Sequence, residues 1–357
     1  MEAGVDRKSS RWQGIAQVGL AGTAAVLTVV LCDLVLGMLA PPVRLREVED
    51  ALDEMRETRP TVLVVGSSHA RSFVPVAREL EDLSGGRQRM LAVPVEWGKW
   101  TSYEWVIRHR IWPELDRQAR EQNGPEAPPW MLLVTEWWDS TALDPGTGRI
   151  DMNLPARSWT WAHFLRDLAQ NGLTPYNQNF LQKVWREWWR GSALVQDRGF
   201  QRIPEAVKER IRGPETARKE ASRQRRLAGW RTMVEEGEAA LFDPGQEAAF
   251  DRIVEEVRSR GFRLGVILYP RMPGTLTDRA RQGTLRVFAR RMEERCRRMG
   301  IPFWDHTTDA PLTDEDFAED FDHILPEGNR RLAHFLLQGS LRWLWDPATP
   351  VPQQEAP

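Results

Sequence analysis

Cysteine is scarce in this chain: 357 residues contain two, Cys32 and Cys296. Cys32 lies in an apolar segment and Cys296 in a charged helical stretch, so the two are not expected to pair and no disulfide framework supports the fold. No spacing of His, Cys and Asp suggests a metal site, and no glycine-rich phosphate loop is visible. No cofactor is therefore expected. The net charge of −2 argues against a dedicated nucleic-acid binder. Arginines are numerous but mixed with acids, and they read as solvated helix faces. There is no fixed-period repeat.

Long apolar runs are absent except for one. Residues 15–40, IAQVGLAGTAAVLTVVLCDLVLGMLA, carry a single formal charge, Asp33. About 20 apolar residues cross a bilayer as a helix. A cleaved signal peptide has a shorter apolar core, about 7–15 residues, and a small-residue cleavage site that is not evident here. The expectation is a transmembrane anchor over residues 14–40, preceded by a tail at 1–13. Arg7, Lys8 and Arg11 on the leading flank place the amino terminus on the cytoplasmic side and the rest outside. The localisation expected is thus a single-pass inner-membrane protein whose soluble part faces the periplasm or cell exterior.

What the chain has in excess is tryptophan, with 17. They cluster at Trp97/Trp100/Trp105, Trp137/Trp138 and Trp185/Trp188/Trp189. Most are expected to serve core packing; the alternative is a groove for a sugar chain or a membrane surface.

Residues 41–60 read as a stalk made of Pro41-Pro42, a charged helical piece, REVEDALDEMRET, and Pro60; after it, apolar runs and amphipathic stretches alternate. Strands are expected at 61–66, 89–95, 130–135, 262–270 and 301–306. Helices are expected at 71–82, 101–122, 246–260, 277–299 and 327–344. Regularity lapses over about 140–245, which reads as a helical insertion, and residues 346–357 read as a disordered tail. The alternation implies an α/β domain over 61–345 with a parallel sheet covered on both faces. Ligands of such sheets sit beyond the carboxyl ends of the strands.

Two stretches there could carry chemistry. In TVLVVGSSHARS, residues 61–72, Ser68 stands where a strand ends and a helix begins. It is either a nucleophile or, with Ser67, a helix cap. In EDFDHILPEGNRRLAHFL, residues 319–336, Asp320 and His323 lie three apart just before the last helix. A histidine can act as base near neutral pH, and a carboxylate can orient it. His69 reads as a local polar contact, and His306 could pair with Asp305 or Asp309.

In order and placement, VLVVGSSHA and DFDHILPEGNRRLAHFL resemble the first and last blocks of the SGNH/GDSL hydrolase superfamily. The resemblance implies a flavodoxin-like three-layer sandwich, with Ser68 as nucleophile, His323 as base and Asp320 as its orienting acid; Asp322 is the less favoured partner. It also implies an oxyanion donor at Gly98 in VEWGKWTS. The family's third block carries an Asn donor, and here TEWWDS stands in its place, with the Trp138 indole as a substitute. Ser67 occupies the place of the usual Asp and counts with Gly98 and Trp138 as an oxyanion or substrate contact. With the anchor, the chain resembles the D-alanyl-lipoteichoic acid transfer and alginate O-acetylation proteins. That implies an acyl esterase or O-acyltransferase working on a cell-envelope polysaccharide through an acyl-serine, beside an integral-membrane acyltransferase. The alternative is a non-catalytic glycan-binding or scaffolding partner of such an enzyme.

Overall fold

Four runs rich in Val, Leu, Ile and Met, and a shorter aromatic one, form the main sheet: β1 (Val62–Gly66), β2 (Met90–Pro94), β3 (Trp130–Thr135), β6 (Arg263–Leu268) and β7 (Phe303–Asp305). All pair in parallel, in the order β2-β1-β3-β6-β7. Two-residue strands β4 (Leu143–Asp144) and β5 (Arg149–Ile150) make a separate antiparallel pair. The computed structural model describes residues 23, 27–32, 34–35, 45–96, 98–121, 130–141, 143–144, 149–150, 160–173, 180–181, 184 and 216–352.

The chain divides into two units. One combines residues 44–154 and 209–357, and holds the main sheet; the other combines 1–43 and 155–208. The helices are α1 (Arg46–Thr58), α2 (Phe73–Ser84), α3 (Trp100–Val106), α4 (Trp112–Glu121), α5 (Trp161–Asn171), α6 (Thr216–Glu236), α7 (Pro244–Ser259), α8 (Asp278–Gln282), α9 (Thr284–Arg298) and α10 (Pro326–Gln338). Helix α5 belongs to the second unit, where Phe164 stacks on Phe180 at 5.1 Å and Trp161 meets both rings edge-on.

Every residue of β1, β2 and β3 is buried. Successive strand side chains point to opposite faces, so both faces of the sheet are covered, as an all-parallel sheet requires. Val62, Val64, Leu132 and Val134 share one core with Phe73 and Val76 of α2 and Leu332 and Leu336 of α10. Elsewhere α7 packs on α3, with the rings of Phe250 and Trp100 at 5.1 Å. Burying each such aliphatic side chain contributes about 1.5–3 kcal/mol.

Several expectations shift at element ends. The helical piece expected within the stalk is α1, but it is no spacer: it buries Val48, Leu52 and Met55 and packs against β2. Gln118 Nε2 donates to Met55 O at 2.9 Å, which ties α1 to α4. The helix expected at 277–299 is broken at Gly283, with α8 on one side and α9 on the other. The last helix stops at Gly339, thirteen residues from its start rather than running to 344. In the expected tail, Asp346 accepts from Ala348 N and Thr349 Oγ1; residues 353–357 lie outside the described ones.

Among the described residues no helix is long and apolar enough to cross a membrane. The anchor expected at 14–40 falls mostly outside them: Thr23, 27–32 and 34–35 are described, as helix. Trp97, Trp185, Trp188 and Trp189 also lie outside.

Candidate active site

Gly66 closes β1 against β3 so tightly that a Cβ would meet Val134 O at 2.6 Å. Beyond it the chain turns sharply into a short 3-10 turn, Ser68–Ser72, with Ser67 as its cap. The Ser67 hydroxyl accepts from His69 N at 3.3 Å and lies 2.8 Å from His69 Nδ1. Ser67 is buried and its hydroxyl faces inward, so it supports the turn and does not present itself to a substrate. The next residue, Ser68, is left half-buried at the mouth of the sheet.

The loop before α10 reaches the same place. Phe317 and Ile324 form an antiparallel bridge, and Ala318 N donates to His323 O at 2.8 Å. Phe321, at the tip, is fully buried and has φ +64°. A left-handed backbone is uncommon for an aromatic residue, and here it lets the ring enter the core while Asp320 and His323 stay outside. Their side chains then meet Ser68: His323 Nε2 lies 2.6 Å from Ser68 Oγ, and His323 Nδ1 lies 2.7 Å from Asp320 Oδ2. The other Asp320 oxygen accepts from the N–H groups of Asp322 and His323 at 3.1 and 3.0 Å. Partial burial works against Asp320's charge, but the hydrogen bonds from His323 prevail and hold its carboxyl below the usual range. His323 is half-buried and Asp320 exposed, so the three side chains stand open to solvent.

Beneath them lies a cluster of four charged groups. His69 Nδ1 is 3.1 Å from Glu136 Oε1, and its Nε2 is 3.1 Å from Asp322 Oδ2. Arg271 Nη1 donates to Asp322 Oδ1 at 2.7 Å and also to Glu136 Oε2. The side chains of His69, Glu136 and Arg271 are 2–3% exposed, and that of Asp322 is 16% exposed. Burial alone would strip His69 of its proton; the carboxylates of Asp322 and Glu136 outweigh it and raise the ring to about 10. Burial likewise disfavours Asp322's charge, but His69 and Arg271 outweigh it and hold that carboxyl well below the usual range. Tyr269 stacks on His69 with centroids 4.1 Å apart, and its hydroxyl lies 2.7 Å from Ser72 Oγ. His69, Asp322 and His323 are close enough to share a cation. A protonated His69 has no lone pair to give, and Arg271 already occupies Asp322, so the donor chemistry disfavours a metal.

The remaining expected contacts take other duties. Gly98 N donates to Val95 O at 2.7 Å, so this amide is spent on a turn and is not aimed at a reacting carbonyl. Gly98 is nonetheless a place where only glycine fits: a Cβ would lie 2.7 Å from Val95 Cγ1 and 2.8 Å from Tyr103 Cε1. Trp138 is buried with the Lys99 ammonium 4.8 Å above its ring. The rest of TEWWDS is a structural hub. Asp139 Oδ2 accepts from Thr135 Oγ1 at 2.8 Å, Tyr103 OH at 3.0 Å and Glu136 N at 3.1 Å. Burial, then Glu136, pushes Asp139's carboxyl well above the usual range. Of the other histidines, His306 pairs with Asp309 and Ser340, each at 3.0 Å.

Ser68, Asp320 and His323 are thus brought together, while Ser67, Gly98 and Trp138 have protein partners of their own. His69 makes the local polar contact expected of it, with Ser67, but its ion pairs were not foreseen; Glu136 and Arg271 were given no role, and Asp322 figured only as a rival for Asp320's place. The one local signal for them was the density of charge around the two motifs. The chain matches no family model, no curated protein and no solved structure.

Proposed function

We propose that the chain is a serine-dependent acyl hydrolase or acyltransferase of the SGNH type. The observation that carries this reading is the unbroken hydrogen-bonded path from Ser68 Oγ through His323 to Asp320. In the first step His323 Nε2 takes the hydroxyl proton as Ser68 Oγ bonds to the acyl carbon of an ester. The tetrahedral adduct collapses, the ester C–O bond breaks, and His323 returns the proton to the departing alkoxide. Water or an acceptor hydroxyl then attacks the acyl-serine, giving its proton to His323, and Ser68 regains a proton when it leaves. Asp320 fixes the ring so that Nε2 faces the serine and balances the imidazolium while it exists.

The sheet order supports a flavodoxin-like three-layer arrangement. With the small antiparallel pair set aside, it reads 2-1-3-4-5, the order of one doubly wound class. The acyl donor or acceptor is read as a cell-envelope polysaccharide, because the triad is open enough for a polymer and residues 14–40 have the composition of an anchor. An integral-membrane acyltransferase is the partner that the family resemblance suggests. The second reading, a non-catalytic glycan-binding or scaffolding protein, is favoured by one observation: the Gly98 amide is spent on Val95.

Labelling of the full chain with a fluorophosphonate probe separates the two. The acyl-serine reading expects labelling of the native protein and none of Ser68→Ala. A native protein that stays unlabelled while its fold is intact leaves the non-catalytic reading.

A further inference from the structure

Ser68 and His69 are neighbours on one segment, and Asp322 and His323 are neighbours on another. Ser68 meets His323 at 2.6 Å, and His69 meets Asp322 at 3.1 Å. Two cross-links therefore join the same two segments side by side. One is polar, half-exposed and reactive; the other is ionic and largely buried. An exposed hydrogen bond contributes little to fixing a loop, because water competes for both partners. A buried ion pair resists rearrangement, because separating it leaves uncompensated charges.

We propose that His69 is a positioning residue for this site: through Asp322 it ties the loop bearing His323 to the turn bearing Ser68, with Glu136 and Arg271 completing a four-charge cluster. The inference rests on the reading of Ser68 as the nucleophile. Each member has a defined part. Glu136, just past the end of β3, sets a carboxylate oxygen 3.1 Å from the other ring nitrogen of His69, whose hydrogen bond goes to Ser67. Arg271, three residues past β6, bridges both carboxylates and so balances the cluster at two positive and two negative charges. Tyr269 lies flat against the imidazole and sets its plane. Ser67 holds Nδ1 from the near side, and His323 lies beyond with ring centroids 5.3 Å apart. The His69 charge also acts on Asp139, on the turn after β3, and opposes the burial that raises its carboxyl. The cluster thus draws together the carboxyl ends of β1, β3 and β6 and the last loop, and the triad stands on it. Displacing a reacting group by about 1 Å costs about 100-fold in rate, so a device that prevents such drift acts on turnover without touching the substrate.

The test uses the full chain and the variants His69→Gln, Asp322→Asn and the pair combined. Two readouts are taken over a range of pH: the fluorophosphonate labelling rate, and the His323 ring signals by NMR, which need no activity. The single variants should keep the fold and label about 10- to 100-fold more slowly. Each single variant should also displace the His323 ring signals from their native positions, because the ring is no longer held against Ser68. A role in folding alone would lower the melting temperature and leave the His323 signals of the folded protein where they were. Unchanged rate and unchanged signals in well-folded Asp322→Asn, which alters a single partly exposed group, would overturn the proposal even if His69→Gln fails to fold. A native chain that never labels, with His323 signals that still move in the variants, would sink the nucleophile reading and leave the positioning of His323 standing.

Discussion

Asp320 holds His323 twice. One carboxylate oxygen meets the ring Nδ1 at 2.7 Å and the other accepts the backbone N–H at 3.0 Å. Ring orientation and loop shape therefore depend on one side chain. Asp320→Ala removes both and should slow fluorophosphonate labelling by about 10²–10⁴-fold. Asp320 is exposed, so the melting temperature should change little. Retention of more than a third of the native labelling rate would remove Asp320 from the triad.

The charged cluster predicts how stability follows pH. His69 is raised from 6.5 to about 10. Its contribution is complete below about pH 6.5 and is lost as pH rises through about 10. Asp322 is shifted the other way, so its contribution holds above the ordinary carboxylate value and fades as pH falls towards its lowered one. Thermal melts of the native chain should show a plateau in mildly acidic buffer and a fall of at most a few kcal/mol towards pH 10.5. In His69→Gln the alkaline part of that fall should be shallower than in the native chain. Parallel curves for the two proteins would contradict the assignment of the charge to His69.

Phe321 sits fully buried at the tip of the last loop. Phe321→Ala should destabilise the protein by about 3–5 kcal/mol through the cavity it leaves. Denaturant melts measure this. Because the same ring anchors Asp320 and His323, labelling should also slow under conditions where the variant remains folded. A stability loss below about 1 kcal/mol would mean that the loop does not depend on this ring.

Gly98→Ala tests a steric requirement rather than a catalytic one. The new Cβ would press on Val95 and Tyr103 at 2.7–2.8 Å, a cost of about 1–3 kcal/mol. With its amide already bonded to Val95 O, Gly98 should affect labelling only as far as it affects folding. A large loss of labelling in a stable Gly98→Ala protein would return Gly98 to the oxyanion site.

Much of the site was legible because its signals are local. An apolar run ending in Gly-Ser-Ser, and an Asp and His three apart before a helix, can each be seen in a few residues. The parallel sheet was legible from alternation for the same reason. The charged cluster was not, because its bonds join positions 135 and 51 residues apart. Charges so far apart look like ordinary surface charges until the strand register brings them together. The helix at 46–58 was legible, but its buried face was not read, because its charges are conspicuous. Yet Val48, Leu52 and Met55 recur at helical spacing and mark a buried face. Gly283 was the visible sign that the helix after β6 would break.

Ser68 and His323 are 255 residues apart. On the acyl-serine reading, a growing chain exposes the Ser68 hydroxyl 255 residues before the His323 ring that would take its proton. Competence would then coincide with the docking of α10 against α2, and a chain cut before the last loop would carry a serine without its base. The order in which the parts are made would then delay acylation until the last loop has docked.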